Sequence, residues 1–294
     1  MNPFSSGSVI ASTVLFMCAG LADATVFHTY LSVTGNDANP CSRDQPCRYL
    51  PAALAQTEVN GEVTILDSGD YNVSSVNMSQ GVTVAAAPGV RAVMVADVAN
   101  PDFGALAVQL NGPAGSQFTF RNVVFVGRGS PETQGTFGIT TVTSGIGLIV
   151  EDSEFSNLAF GISVVVDQGN VSVSRSIFQR NERGIFLGGG ATRQSLQASI
   201  DACTFVRNSS VGALIASSEA TISHSRFIGN GDGVAVSSGN GNPGGEAFLA
   251  GNVFSSNGVG VFIGSGSFAR STQDNVFYIN GTSVNGKLIQ EKKM

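Results

Sequence analysis

The repeat that decides the fold is clearest in residues 178–187, which read FQRNERGIFL. Phe178 is followed three residues later by Asn181, and Gly184 then opens a short apolar run. The Phe recurs at spacings of 30, 23, 27, 22, 27 and 23 residues, at Phe125, Phe155, Phe178, Phe205, Phe227, Phe254 and Phe277. Five of these Phe have an Asn three residues on: Asn181, Asn208, Asn230, Asn257 and Asn280. Self-similarity at this period indicates a repeat architecture.

Each repeat contains three short strands, which in the clearest coil are residues 171–173, 177–178 and 185–187. Such coils stack at the strand spacing of about 4.8 Å, so equivalent positions form columns. The Phe column points inward, and a column of small residues two positions earlier fits beside it: Ser153, Ser176, Cys203, Ser225, Asn252 and Asn275. Leucine-rich repeats need a Leu framework, and propeller blades need periods of about 40 residues or more. The pattern therefore predicts an all-β, right-handed parallel β-helix with three short strands per coil.

The Asn column is interpreted as a turn ladder. In this interpretation each side-chain amide bonds the next coil, and Asn tolerates the left-handed backbone of the turn. A structural role is favoured over a ligand-binding role for Asn181, Asn208, Asn230, Asn257 and Asn280.

Composition agrees with many short strands joined by turns, because the chain has 37 Gly, no Trp and only 12% charged residues. The net charge is −6, and Lys and Arg are scattered along the chain. This distribution excludes the basic patch of a nucleic-acid binder. Nothing in the pattern predicts an oligomeric state.

The N-terminus carries an apolar stretch, residues 9–22, that ends at Ala22-Asp23-Ala24. This small-x-small pattern predicts a signal peptide over residues 1–24, cleaved after Ala24; the alternative is an uncleaved N-terminal anchor. No later segment is apolar enough to enter a membrane. The expected mature chain, 25–294, is one domain with an N-terminal cap (25–60), coils (61–285) and a closing strand and tail (286–294). We expect it to be secreted or periplasmic.

The cysteines fit an exported protein. Cys41 and Cys47 bracket a five-residue loop, and this spacing predicts a local disulfide. A metal site is disfavoured because no His and no second Cys pair accompanies the two cysteines. Cys203 lies in the column of small residues and is expected to be buried. Residues 47–55 predict a short amphipathic helix that caps the first coil.

The chain resembles the right-handed β-helix proteins of the pectin-lyase-like superfamily. A narrower resemblance rests on residues 30–41 (YLSVTGNDANPC), 46–48 (PCR) and 63–71 (VTILDSGDY). These segments are similar to the opening of a group of small exported bacterial β-helix proteins. The resemblance implies the fold and export, and it transfers no catalytic residue.

Enzymes of the wider superfamily that cleave acidic polysaccharides align carboxylates, Ca²⁺ and an Arg or Lys base on one face. The best exposed column lies three residues before each Phe and offers the candidates Asp152, Arg175, His224 and Asp274. Asp152 and Arg175 would face each other on adjacent coils, which is the geometry of a surface ion pair. Ala202 and Gly251 interrupt the column beside His224, so no triad is expected. We expect no metal and no cofactor, and Ca²⁺ would be needed only by a lyase.

Three long connections, residues 127–138, 188–195 and 237–246, stand out from the short ones. They are expected to project from one edge and flank a groove. The outward residues Phe186, Leu214 and Phe262 run beside them, and either pack under the loops or form an apolar contact strip.

Three functions remain open on this evidence. The first is a non-catalytic exported protein that binds a glycan or a protein partner through the loop-flanked face. The alternative is a polysaccharide lyase or glycoside hydrolase, and the second alternative is a structural cell-surface protein. The loops and the absence of a complete catalytic set favour the first.

Overall fold

The computed structural model describes residues 25–72, 74–96, 106–128, 136–141, 143–190, 196–238 and 242–291. The predicted signal peptide, residues 1–24, lies outside the described residues. In chain order the elements of the described ranges are β1 (Val26–Leu31), α1 (Leu50–Gln56), β2 (Thr57–Ile65), β3 (Gly69–Asp70), β4 (Val76–Met78), β5 (Thr83–Ala86), β6 (Ala92–Ala96), β7 (Leu106–Leu110), β8 (Gln117–Arg121), β9 (Val123–Gly127), β10 (Phe137–Thr141), β11 (Ile146–Glu151), β12 (Glu154–Ser156), β13 (Phe160–Val165), β14 (Gly169–Ser174), β15 (Ile177–Gln179), β16 (Arg183–Gly188), β17 (Leu196–Asp201), β18 (Thr204–Val206), β19 (Val211–Ala216), β20 (Glu219–Ser223), β21 (Arg226–Ile228), β22 (Asp232–Ser237), β23 (Glu246–Ala250), β24 (Val253–Ser255), β25 (Val259–Ile263), β26 (Phe268–Ser271), β27 (Val276–Tyr278), β28 (Thr282–Asn285) and β29 (Leu288–Gln290).

The strands form three parallel sheets that wind around one axis. Sheet A has the order β1-β2-β5-β8-β11-β14-β17-β20-β23-β26-β29. Sheet B is β27-β24-β21-β18-β15-β12-β9-β6-β3, and sheet C is β28-β25-β22-β19-β16-β13-β10-β7-β4. A regular coil visits A, B and C in turn, as β14, β15 and β16 do. The predicted three-strand coil is therefore confirmed.

The Phe column forms the inner core of sheet B, as predicted. Phe125, Phe155, Phe178, Phe205, Phe227 and Phe254 are fully buried. From Phe125 to Phe277, rings on neighbouring coils are stacked with centroids 4.6–5.0 Å apart and planes within 10°. Ring stacking and strand pairing therefore favour the same distance between neighbouring coils.

The Asn ladder follows each Phe strand. Asn208 accepts through Oδ1 from the backbone N–H of Asn181 (3.1 Å) and donates from Nδ2 to the carbonyl of Phe178 (3.1 Å). The same pattern runs through Asn230, Asn257 and Asn280. One detail of the prediction was wrong, because the left-handed residue is the one before the Asn. Arg180 has φ 54° and Arg207 has φ 52°.

The column of small residues forms a second hydrogen-bonded ladder and does more than pack beside the Phe rings. Ser176 Oγ accepts from the backbone N–H of Ser153 (3.1 Å), and Asn252 Oδ1 accepts from that of Ser225 (2.9 Å). Cys203 occupies one rung, is buried, and donates its backbone N–H to Ser225 Oγ (3.1 Å). Two polar ladders thus satisfy the backbone at both ends of each short sheet B strand.

In each central coil of the β-helix, a glycine lies at the start of the sheet C strand, and these glycines form a column. A Cβ on Gly184 would lie 2.4 Å from the carbonyl oxygen of Gly212 and 2.9 Å from a ring carbon of Phe205. Gly212 and Gly233 have equivalent contacts with the next coil. Glycine is required here because the Phe stack and the neighbouring backbone leave no space for a side chain.

The N-terminal end is covered by α1, which begins three residues later than the segment predicted from the sequence. Leu50 and Ala53 are buried, and the helix packs against β1, β2 and β4. The predicted disulfide between Cys41 and Cys47 is present, and both cysteines are buried. The cap thereby covers the apolar interior of the first coil.

Candidate functional site

The outer face of sheet C carries the three residues for which the sequence left open packing under the loops or an apolar contact strip. Phe186, Leu214 and Phe262 are partly exposed and point away from the core. Phe186 pairs with Leu214 across β16 and β19, and Ala235 on β22 separates Leu214 from Phe262. Parallel register therefore aligns these three residues in one outward column along the helix axis.

A second outward column, which the sequence analysis missed, adds two aromatic rings. Phe137 and Phe160 begin β10 and β13 and stack with centroids 4.8 Å apart and planes 3° apart. Phe160 also lies 5.9 Å from Phe186. The signal was present, because each of these Phe immediately precedes the repeat glycine, but it does not follow the Phe-to-Asn spacing that defined the core.

A cation extends this aromatic cluster, which comprises Phe137, Phe160 and Phe186. The guanidinium carbon of Arg183 lies 4.8 Å from the ring centroid of Phe160, which is cation–π geometry. Arg183 also pairs with Glu182 at 3.2 Å, and both side chains are about one-third exposed (31% and 30%). A planar group is thus held at the edge of the aromatic surface, with donors still facing solvent.

Asp232 continues the same column two strands beyond Arg183, with Val211 between them. Its other neighbour in register is Val259. Burial between these apolar neighbours raises the pKa of the Asp232 carboxyl. Within the described strands of sheet C, Arg183 and Asp232 are the ionisable side chains. Glu182, which precedes β16 and pairs with Arg183, is a further carboxyl beside this face.

The long connections flank sheet C, but the prediction that they share one edge was wrong. Residues 128–136 connect β9 of sheet B to β10 of sheet C. Residues 189–195 and 238–245 instead connect sheet C to sheet A. Every coil passes B, C and A in turn, so insertions at either corner border sheet C from opposite sides. Residues 129–135, 191–195 and 239–241 lie outside the described residues.

The predicted titratable candidates lie elsewhere, at the corner between sheets A and B. Asp152, Arg175 and His224 each follow a sheet A strand and have φ near +50°. Asp274 belongs to the same corner, where it accepts from the backbone N–H of Gly251 at 2.9 Å. This column is a turn position, which the exposure pattern alone did not reveal.

Asp152 and Arg175 form the predicted ion pair, with Nε to Oδ1 at 2.8 Å and Nη2 to Oδ2 at 2.9 Å. The Arg175 hydrogen bond lowers the pKa of Asp152. Glu151 lies 3.7 Å from the same guanidinium. Arg175 is thus engaged by two carboxylates, and an engaged cation is a poor general base.

His224 is bonded to Asp201, which the sequence analysis did not single out. Its Nδ1 lies 2.8 Å from Oδ1 of Asp201, and Ser223 Oγ donates to the same oxygen at 2.7 Å. These two bonds, led by that of Ser223, lower the pKa of Asp201. Ser223 bonds the carboxylate and not the imidazole, so the serine is not activated as a nucleophile.

In the described ranges, no cluster of three or more His, Cys, Asp or Glu side chains is arranged to hold a metal ion. No helix in these ranges has the length and hydrophobicity needed to span a membrane.

Comparison with known proteins places the chain in a family. Residues 106–277 match the family described as the right handed beta helix region, and the chain belongs to that family. No curated protein matches the sequence.

Solved structures share the fold. The pectate lyase Pel9A superposes with a TM-score of 0.62 at 17% identity, covering 90% of this chain and 80% of its own. A rhamnogalacturonan lyase gives 0.58 at 11% identity, covering 85% and 72%. XylC, solved in complex with xylose, gives 0.53 at 9% identity, covering 90% and 70%. At these identities the similarity establishes a right-handed parallel β-helix of the pectate lyase type and nothing about activity.

Proposed function

We propose that this chain is an exported, non-catalytic β-helix protein that binds a polysaccharide along the outer face of sheet C. The observation that carries the proposal is the aromatic cluster of Phe137, Phe160 and Phe186. Phe137 and Arg183 cover the two faces of the Phe160 ring, so the cluster offers the solvent-facing edges of its rings as an apolar surface for the C–H groups of a sugar. Arg183 beside these edges can donate hydrogen bonds to hydroxyl or carboxylate groups. A glycan is favoured over a protein partner because the stacked rings form a narrow track and not a broad apolar patch.

The chemistry of this face supports binding without turnover. Its described strands offer one carboxyl, Asp232, and one cation already paired with Glu182. A polysaccharide lyase needs a base beside the place where the carboxylate of its substrate is neutralised. A glycoside hydrolase needs a general acid and a second carboxylate. The polysaccharide lyase or hydrolase remains the alternative, because solved lyases share the fold.

One experiment separates these functions. The purified chain is run through native gels that contain polygalacturonate, alginate, xylan or galactomannan, and the same mixtures with Ca²⁺ are monitored for unsaturated products and new reducing ends. The proposal expects retardation in at least one gel and no product. Product formation would establish the enzyme, and neither retardation nor product would favour a structural surface protein.

The location is part of the proposal. We propose that residues 1–24 are removed and that the mature bacterial protein is secreted or periplasmic. Mass measurement of the exported protein should give Thr25 as its first residue. An intact N-terminus on cytoplasmic protein would contradict export.

A further inference from the structure

Sheet A carries a shallow groove that the sheet C proposal does not use. The groove has a volume of about 380 Å³ and crosses β8, β11, β14 and β17. Its walls and floor are formed by Gln117, Leu148, Ile149, Asn170, Val171, Ser172, Gln197, Ala198 and Ser199. Three strand spacings of about 4.8 Å make it roughly 14 Å long, which is room for two to three sugar units.

No lining residue is ionisable, although the adjacent column of the same sheet is charged. Arg121, Glu151 and Asp201 stand at the ends of β8, β11 and β17, just outside the groove. Arg121 and Glu151 pair at 3.0 Å, and Asp201 is bonded by Ser223 and His224. These three charges are therefore engaged within the protein, and Glu219, the register neighbour of Gln197, adds a carboxylate at the end of the groove.

Four polar side chains of the groove are not engaged within the described part of the chain, whereas the Gln117 amide donates to the carbonyl of Phe118 at 3.4 Å. Asn170, Ser172, Gln197 and Ser199 are exposed, and within the described residues none of these side chains has a hydrogen-bond partner. Asn170 pairs in register with Gln197, and Ser172 with Ser199, so amides and hydroxyls form two parallel rows. These rows offer both donors and acceptors at the strand spacing.

Gly147 lies between Gln117 and Asn170 in the amide row. A Cβ at Gly147 would come within 2.4 Å of the side-chain oxygen of Gln117, so the glycine makes room for that amide. Ile149, which is partly exposed, adds an apolar surface beside Ser172. A mixed surface of amides, hydroxyls and one aliphatic face matches the two sides of a pyranose ring.

We infer that this groove is a second binding site, and that its ligand is a neutral glycan chain lying across the strands of sheet A. A charged polymer is disfavoured because the lining offers no counter-charge and the nearest carboxylates would repel an acidic chain. The sheet C face and the groove would then bind different polymers, or different segments of one polymer.

The test uses native gels containing galactomannan, xyloglucan or hydroxyethylcellulose. Wild-type protein should be retarded by at least one of them. The double variant Asn170→Ala/Gln197→Ala removes both amides from exposed positions, and its affinity for that polymer should fall at least tenfold. Ser199→Glu places a charge in the groove and should have a similar effect, whereas Ser255→Glu adds the same charge on the outer face of sheet B, away from both surfaces, and should have none.

Phe160→Ala distinguishes this inference from the proposed function, because it alters only the sheet C face. Retardation that is lost in Phe160→Ala and retained in the groove variants would overturn the second site and leave the proposed function standing. If none of the neutral polymers retarded the wild-type protein, the second site would also be overturned. Loss in the groove variants alone would support it even if the sheet C proposal fails.

Discussion

Asn208 donates from its side-chain amide to the carbonyl of Phe178, one coil earlier, at 3.1 Å. The same side chain also accepts from Asn181 and donates to Asn230 at 2.9 Å. The core Phe and the buried Asn are therefore one structural unit repeated along the helix, and each coil is fixed to both neighbours.

Replacing Asn208 by Ala should destabilise the protein by about 1–3 kcal/mol, because the buried N–H of Asn181 and the buried carbonyl of Phe178 on the preceding coil lose their partners. Asn280 provides the matched control, since it ends the ladder and is partly exposed. Asn280→Ala should cost clearly less. Equal losses in chemical denaturation would mean that the ladder does not stabilise the interior coils.

The Phe stack gives a larger expected effect. Phe205→Ala should cost about 3–5 kcal/mol through lost burial and a cavity between Phe178 and Phe227. Arg175→Ala, which removes only the exposed pair with Asp152, should cost about 1 kcal/mol or less. If the arginine variant were the more damaging in urea denaturation, the inward and outward faces would be reversed.

The glycine column predicts that even a methyl side chain is strongly destabilising at these positions. Gly212→Ala should destabilise strongly, because its Cβ would lie 2.6 Å from the backbone oxygen of Gly233 and 2.8 Å from Phe227. Gly264→Ala is the control, since the nearest atom to its Cβ would be 3.4 Å away. Thermal unfolding should show a drop in Tm for the first variant only. A tolerated Gly212→Ala would contradict the close approach of the coils.

Cys203 predicts a pH dependence. Burial raises the pKa of its thiol to about 12, whereas an unfolded Cys has a pKa near 8.5. The folded state therefore keeps the thiol neutral, and its contribution to stability is present below pH 8.5 and is lost as the pH rises toward 12. Cys203→Ser places the hydroxyl used by Ser176 and Ser225 on this rung, so it should fold normally and lose less stability between pH 8.5 and 11. Identical alkaline unfolding curves would contradict the buried thiol.

The sequence predicted the features that repeat. The core Phe, the Asn ladder and the three-strand coil each recur in the coils, so their spacing revealed them. The outward residues Phe137 and Phe160 were missed because the faces of a β-helix are not constrained by stacking, and each outward position varies independently. The corner that carries Asp152 and His224 was read as an exposed face, since a left-handed turn residue and an outward strand residue have the same exposure.

The groove on sheet A could not be found from the sequence either. Its amides and serines are ordinary surface residues of a Ser- and Asn-rich chain, and only the parallel register brings Asn170 beside Gln197. Gly147, which leaves space for the Gln117 amide, occurs at this row in one coil and has no counterpart in the repeat pattern.

The most direct test of the proposed function is the affinity of Phe160→Ala for the polysaccharide that retards the wild-type protein. Ile177→Ala is the matched control, because Ile177 is an apolar residue 43% exposed on sheet B, away from the aromatic cluster. Isothermal titration should show at least tenfold weaker binding for Phe160→Ala and wild-type affinity for Ile177→Ala. The thermal unfolding of Phe160→Ala should stay cooperative, with a Tm lowered by the loss of the ring contacts with Phe137 and Arg183. Wild-type affinity in Phe160→Ala would contradict polysaccharide binding on sheet C.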